Sequence, residues 1–343
     1  MLKIKGFLPR NSMKVIIDSA IPFIRGVVEP YAEVVYCKGA EIDSSIVRDA
    51  DALVVRTRTE CNKELLKDSR VRFIATATIG RDHIDEEYCR KAGIDVASAA
   101  GCNARGVLQW VAAALKHIVE SDGKRPEEYT LGVVGVGNVG SLVVEYARHW
   151  GFRVLMCDPP RKEREGGEFY PIEDIVHEAD IIALHTPLDA STHHLINHER
   201  IAQMRPDAVV VNASRGAVVD NRAVSDSGHR YAFDVWEDEP RLDDDILQNA
   251  MLATPHIAGY SQQGKANASA MSVNALARRF DLPLESWRPE EVVPTTPRLI
   301  SWEEMCETID GYCDIMAETE ILKNTPERFE TLRNEYRYRE EYF

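Results

Sequence analysis

Three side chains in the second half of the chain have the types needed to move a proton next to a bound anion. Arg215 follows the apolar run VVVNAS, Glu239 closes AFDVWEDEP, and His256 stands in TPHIAGY. A guanidinium at the end of a strand that reads as buried is costly unless an anion or a cleft receives it. Its planar fork suits a substrate carboxylate and would polarise a neighbouring oxygen. An imidazole bonded to a carboxylate is held in one tautomer and favoured in its charged form, so His256 could take the proton of a substrate hydroxyl. Each of the three follows an apolar strand. In open parallel sheets, ligands bind outside the carboxyl ends of strands, so one crevice could collect all three.

The elements that must position them come from the pattern of the rest of the chain. Short apolar runs alternate with helix-length segments: KVIID (14–18), ADALVVR (50–56), VRFIATAT (71–78), TLGVVGVG (130–137), RVLMCD (153–158), ADIIALH (179–185) and DAVVVNAS (207–214). Continuous rather than alternating apolar character predicts strands covered on both faces, and their alternation with helices predicts βαβ units. Helices are predicted over 139–150, 197–203 and 103 to about 120, the last separating two α/β halves. Trp302, Met305, Ile309, Tyr312 and Met316 recur at steps of three and four, an amphipathic stripe that would pack within the chain or at a subunit interface.

LGVVGVGNVGSLVVEYARHWGFRVLMCDPP carries G-x-G-x-x-G at Gly135, Gly137 and Gly140, with Asn138 and Val139 opening the helix between the second and third glycines. Placed between a strand and a helix, this spacing allows a tight turn, a close approach of backbone to a pyrophosphate and close helix packing. Asp158, eighteen residues beyond Gly140, ends the next strand. Its carboxylate would accept from ribose hydroxyls and repel a 2′-phosphate, which predicts NAD rather than NADP, although Arg161 and Lys162 follow directly.

Composition bounds the partners. Over 343 residues the net charge is −15, which disfavours nucleic acid and anionic membranes and requires any anion site to be locally basic. No stretch approaches the roughly 18 apolar residues that span a bilayer, and no secretory signal is visible. The seven cysteines (Cys37, Cys61, Cys89, Cys102, Cys157, Cys306 and Cys313) contain no C-x-x-C pair, which argues against a zinc site and fits a reducing cytoplasm.

GVGNVG, HTPL, NASRG, DVWEDEP and PHIAGY, in this order, resemble the signature elements of the D-isomer-specific 2-hydroxyacid dehydrogenases. ADALVVRTRTECN, ATATIGRDHID, GCNARGV, CDPPR and the tail FETLRNEYRYREEY are similar to a branch of that family acting on a phosphorylated hydroxy acid. The resemblance implies two Rossmann-like or flavodoxin-like parallel-sheet domains and a small C-terminal α/β dimerisation domain. A substrate domain would comprise 13–105 and 261–282, an NAD domain 106–260 and a dimerisation domain 285–343, with 1–12 an extension. It further implies that Arg215, Glu239 and His256 are catalytic, and that Asp158, Thr186, Ala213, Ser214, Asp234 and Gly259 contact NAD. Thr57, Thr78 and Tyr260 would contact substrate, and at least one of Arg56, Arg58, Arg81 and Arg105 would reach its phosphate. A homodimer is implied as well.

Relatives usually place a full helix between VVDN and DVW, whereas NRAVSDSGHRYA leaves about two turns, with SDSGH reading as a loop. Two other readings stay open: a dehydrogenase of another 2-hydroxy acid such as phosphoglycerate, and an NAD-sensing regulator without turnover.

Overall fold

The computed structural model describes residues 13–343, so the expected extension over 1–12 lies outside the described residues. The chain divides into two compact units. One holds the described residues up to Cys102 together with Gln263–Pro294, and the other holds Asn103–Gln262 and Thr295–Phe343.

In the first unit, β1 (Lys14–Asp18), β2 (Glu33–Cys37), β3 (Ala52–Val55), β4 (Phe73–Thr76) and β5 (Asp95–Ser98) form an all-parallel sheet in the order β2-β1-β3-β4-β5. The apolar runs predicted β1, β3 and β4. The two edge strands, EVVYC and DVAS, escaped that reading because each is partly exposed and so lacks the continuous apolar character of a strand covered on both faces. The Gln262–Phe280 helix buries Val273 and Leu276 among the side chains of β1, β3 and β4.

In the second unit, β6 (Thr130–Val134), β7 (Arg153–Cys157), β8 (Ile181–Leu184), β9 (Val209–Asn212), β10 (Arg230–Phe233) and β11 (Leu252–Ala253) are also all parallel, in the order β11-β10-β9-β8-β6-β7. The chain reverses its direction of growth at β6, and the crevice between β6 and β8 is where such a sheet receives a ligand. The Ala104–Asp122 helix is buried on nearly every side and stops at Gly123, whose φ of 63° provides the left-handed cap. Trp110 on that helix donates its Nε1–H to Thr254 Oγ1 (2.9 Å), tying the helix to the segment that precedes His256.

The C-terminal segment, expected to be α/β, consists of helices at Trp302–Tyr312, Ile315–Asn324 and Phe329–Glu335, with no strand among its described residues. The apolar stripe read from Trp302 to Met316 is not one helix: it ends at Tyr312, and Met316 stands exposed on the next. Met305 and Ile309 are wholly buried in a core shared with Trp150 and Phe343, so the stripe is spent on intramolecular packing. The shortened 221–232 segment keeps a trimmed helix, Asn221–Ser227, rather than a loop from Ser225. Asp220 caps it by accepting from the Ala223 N–H, and Gly228 ends it at φ 77°.

Candidate active site

The glycine-rich loop has the geometry its spacing predicts. Gly135 sits at φ 84°, and a Cβ there would lie 2.8 Å from the backbone of His185 and Thr186. A Cβ on Gly140 would lie 2.0 Å from the Gly135 carbonyl oxygen, so loop and helix touch directly. At Gly137, by contrast, a Cβ would meet only open space, on the side from which a pyrophosphate would approach the first turn of the Asn138–His149 helix. Asp158 holds this loop: Oδ2 accepts from the Val136 N–H (2.8 Å) and Oδ1 from the Arg161 N–H (2.9 Å). Arg161 also donates to the Val136 carbonyl (2.6 Å) while pairing with Glu165. Thr186 Oγ1 is buried with no hydrogen-bond partner among the described residues, an orphaned hydroxyl at the place where a cofactor contact is expected. The residues therefore fit a dinucleotide. Gly137→Val should keep the unfolding midpoint of the parent protein yet weaken NAD binding at least tenfold by titration; parent-like affinity would count against this placement.

His185 beside it has both ring nitrogens buried and unpartnered, and burial pushes its imidazole down to about 4 from 6.5. Between those two values the unfolded chain binds a proton that the folded chain refuses, so stability falls as pH falls through that window. From pH 7 to pH 5 the loss should be about 2 kcal/mol. It is read as the difference in urea midpoint between the parent protein and His185→Gln, which should lack this component; parallel pH profiles would refute it.

The three residues proposed for proton transfer all lie in the second unit. His256 Nδ1 and Glu239 Oε1 are 2.6 Å apart, each side chain about a quarter exposed. Burial pushes the Glu239 carboxyl up. The bond and charge of His256, the Arg333 guanidinium and the Trp236 N–H outweigh this, leaving it below its ordinary value. WEDEP offered three acids, and the fold distinguishes them. Glu237 instead bonds His194 Nε2 (2.5 Å), and Asp238 is exposed. Arg215 reaches the same segment through its neighbour: Gly216 packs so closely on the Trp236–Glu237 backbone that a Cβ would lie 2.0 Å from the Trp236 carbonyl. Asn212 fastens this turn, donating to the Arg215 carbonyl (2.9 Å) and accepting from Ser214 N–H and Oγ.

His256 itself sits at φ 58°, a left-handed conformation that a non-glycine residue holds only when its surroundings fix it. Two side chains do so. Asp234, fully buried, accepts from the N–H groups of Ile257 (2.7 Å) and Ala258 (2.9 Å) and from Thr254 Oγ1 (2.6 Å). Burial nonetheless pushes its carboxyl up. Arg339, from the C-terminal tail, donates to the carbonyls of Ile257 (3.0 Å), Ala258, Tyr260 (3.3 Å) and Gly106 (2.8 Å). Asp234 was expected as a cofactor contact; the partners it has here brace the histidine loop. Gly259 packs on Asn103, where a Cβ would lie 1.9 Å from the side-chain nitrogen.

The remaining expected residues are divided between the units. Arg56, Thr57 and Arg58 follow β3, and Thr78 and Arg81 follow β4, so they gather at the carboxyl ends of adjacent strands in the first unit. Arg56 donates to the Ala20 carbonyl (3.2 Å), Thr78 Oγ1 to the Gly80 carbonyl (3.1 Å), and Arg81 pairs with Glu86 (3.0 Å). Arg105 donates to the Tyr146 hydroxyl (3.3 Å) in the second unit. Tyr260, also in the second unit, accepts from Arg333 Nε (3.2 Å). The sequence reading missed Arg333 and Arg339; the only signal was their density in a tail rich in tyrosine and arginine.

Residues 104–258 match the D-isomer specific 2-hydroxyacid dehydrogenase, NAD binding domain. Over 342 aligned residues the chain is 42% identical to an erythronate-4-phosphate dehydrogenase of Bacteroides thetaiotaomicron, covering 96% of this chain and 97% of that one. It is 44% identical over 287 residues to an erythronate-4-phosphate dehydrogenase of Ectopseudomonas mendocina, covering 82% and 76%. Among solved structures it is similar to D-lactate dehydrogenase from Aquifex aeolicus, complexed with NAD and lactic acid, at 25% identity and a TM-score of 0.65, covering 80% of this chain and 97% of that one.

Proposed function

Because the chain belongs to the erythronate-4-phosphate dehydrogenases, within the D-isomer-specific 2-hydroxyacid dehydrogenases, we propose that it oxidises 4-phospho-D-erythronate at C2. The product is 3-hydroxy-2-oxo-4-phosphooxybutanoate, on the route to pyridoxal 5′-phosphate. NAD, when bound, supplies the hydride acceptor. Gly135, Gly137, Gly140, Asp158 and Thr186 would hold it, with Asn138, Val139, Ala213, Ser214, Asp234 and Gly259 as further contacts. The observation that carries the reading is the 2.6 Å Glu239–His256 pair in the same unit as the dinucleotide loop.

Glu239 at Nδ1 leaves Nε2 of His256 to take the C2 hydroxyl proton, and the carboxylate stabilises the imidazolium that forms. Arg215 binds the substrate carboxylate through its fork and polarises the C2 oxygen. Tyr260 in the second unit and Thr57 and Thr78 in the first would contact substrate, with at least one of Arg56, Arg58 and Arg81 as a cation for its phosphate. NADH formation with 4-phospho-D-erythronate, set against 3-phosphoglycerate, tests the assignment. Turnover of the second acid and not the first would replace it.

No helix among the described residues is long and apolar enough to cross a membrane. A cytoplasmic location suits the seven cysteines, none of which forms a disulfide. A homodimer through the C-terminal segment suits Met316 and Ile321, large apolar side chains left outward on one helix. Sedimentation at two concentrations reads this directly.

A further inference from the structure

Arg333 stands beside the catalytic pair in the second unit, and no reading of the sequence assigned it a role. The Phe329–Glu335 helix buries Phe329 and packs Leu332 on the same core. Positions four and three residues apart share a helix face, so anchoring these two also fixes Arg333, directed toward Tyr260. Its Nε donates to the Tyr260 hydroxyl (3.2 Å), and its Nη1 lies 3.7 Å from Glu239 Oε1, too far for a hydrogen bond. Among the described residues Nη1 and Nη2 donate no hydrogen bond, although the side chain is less than a third exposed. Arg339, six residues on, is the contrast: its Nη1 and Nη2 are committed to backbone carbonyls and the Tyr336 hydroxyl. Glu239 is the counter-charge of this guanidinium, and Nη1 and Nη2 keep hydrogen-bonding capacity for a second anion arriving beside the pair. In a chain of net charge −15, such a cation is the local condition an anionic substrate needs.

We propose that Arg333 is a specificity-determining residue that binds the phosphate of a 2-hydroxy acid carrying a second anionic group, with its fork on two phosphate oxygens and the Tyr260 hydroxyl beside it. The proposal rests on the family activity above and extends it. A single carboxylate separates Arg333 from the imidazole that serves C2. In 4-phospho-D-erythronate, two carbons and an ester oxygen separate C2 from phosphorus, so the second anion falls close to the reacting centre. Arg215 is then left to the carboxylate. Acids that lack the distal phosphate would leave Arg333 unmatched, which is a basis for discrimination rather than for binding alone.

The test compares the parent protein with Arg333→Gln and Arg333→Lys on 4-phospho-D-erythronate and D-erythronate. The ratio of kcat/KM for the phosphorylated over the unphosphorylated acid should fall about 100-fold in Arg333→Gln, carried by KM, and about tenfold in Arg333→Lys, which keeps charge but not the fork. An unchanged ratio, with both acids losing turnover equally, would overturn the proposal and leave Arg333 acting only on Glu239. A second arm measures inorganic phosphate binding to the NAD-bound proteins by calorimetry, with at least a tenfold loss expected in Arg333→Gln. If the parent protein does not turn over the phosphorylated acid, the family activity is what fails. The phosphate arm then decides this proposal alone, and equal affinity in parent and variant refutes it.

Discussion

His256→Ala should form NADH from 4-phospho-D-erythronate about 1,000-fold more slowly than the parent protein while binding NAD as before, and Glu239→Gln should lose about 100-fold. The two differ because they remove different things. Without the imidazole no group at that position takes the hydroxyl proton. Without the carboxylate's charge the imidazole remains, but its tautomer and its protonated form lose the 2.6 Å partner that favours them. Because Glu239 is held below its ordinary carboxyl value, it stays ionised through the neutral range, and the Gln variant removes a charge rather than a proton. An NADH titration separates loss of chemistry from loss of binding. Parent-like rates in His256→Ala would end the catalytic assignment, and the NAD-sensing alternative would then gain ground.

Arg339→Met should lower the unfolding free energy of the second unit by about 4 kcal/mol, since three buried carbonyls and one partly buried carbonyl lose their charged donor at about 1–3 kcal/mol each, partly offset by relaxation. The tail is tied down at several points near this residue. Gln262 N–H donates to the Arg339 carbonyl (2.8 Å), and Glu341 accepts from Ser261 Oγ and Thr295 Oγ1, both at 2.7 Å. The loop after His256 is thus gripped on its N–H groups by Asp234 and on its carbonyls by Arg339. Urea unfolding followed by tryptophan fluorescence measures the loss, and amide exchange at Ile257 and Ala258 should accelerate in the same variant. An unchanged urea midpoint would show that the grip adds nothing to stability.

Much of this was legible in the residues themselves. Central strands are continuous apolar runs, so the sequence marks them, and G-x-G-x-x-G with a later acid is a local motif whose chemistry depends only on nearby spacing. The local signals were weaker where burial was partial. Edge strands β2 and β5 carry mixed residues, and the two-turn Asn221–Ser227 helix is stabilised by its caps rather than by length.

By itself, then, the sequence determined the parallel α/β class, the dinucleotide loop and the identities of a guanidinium, an acid and an imidazole suited to hydroxyl oxidation. Only tertiary structure decided which of the acids in WEDEP meets His256, that Asp234 braces the histidine loop, and that tail residues Arg333 and Arg339 come back to Glu239 and to the backbone around His256. The reason is physical. Periodicity and motif spacing report interactions a few residues long, whereas a hydrogen bond between residues 257 and 339 leaves no trace in either segment until packing brings them together.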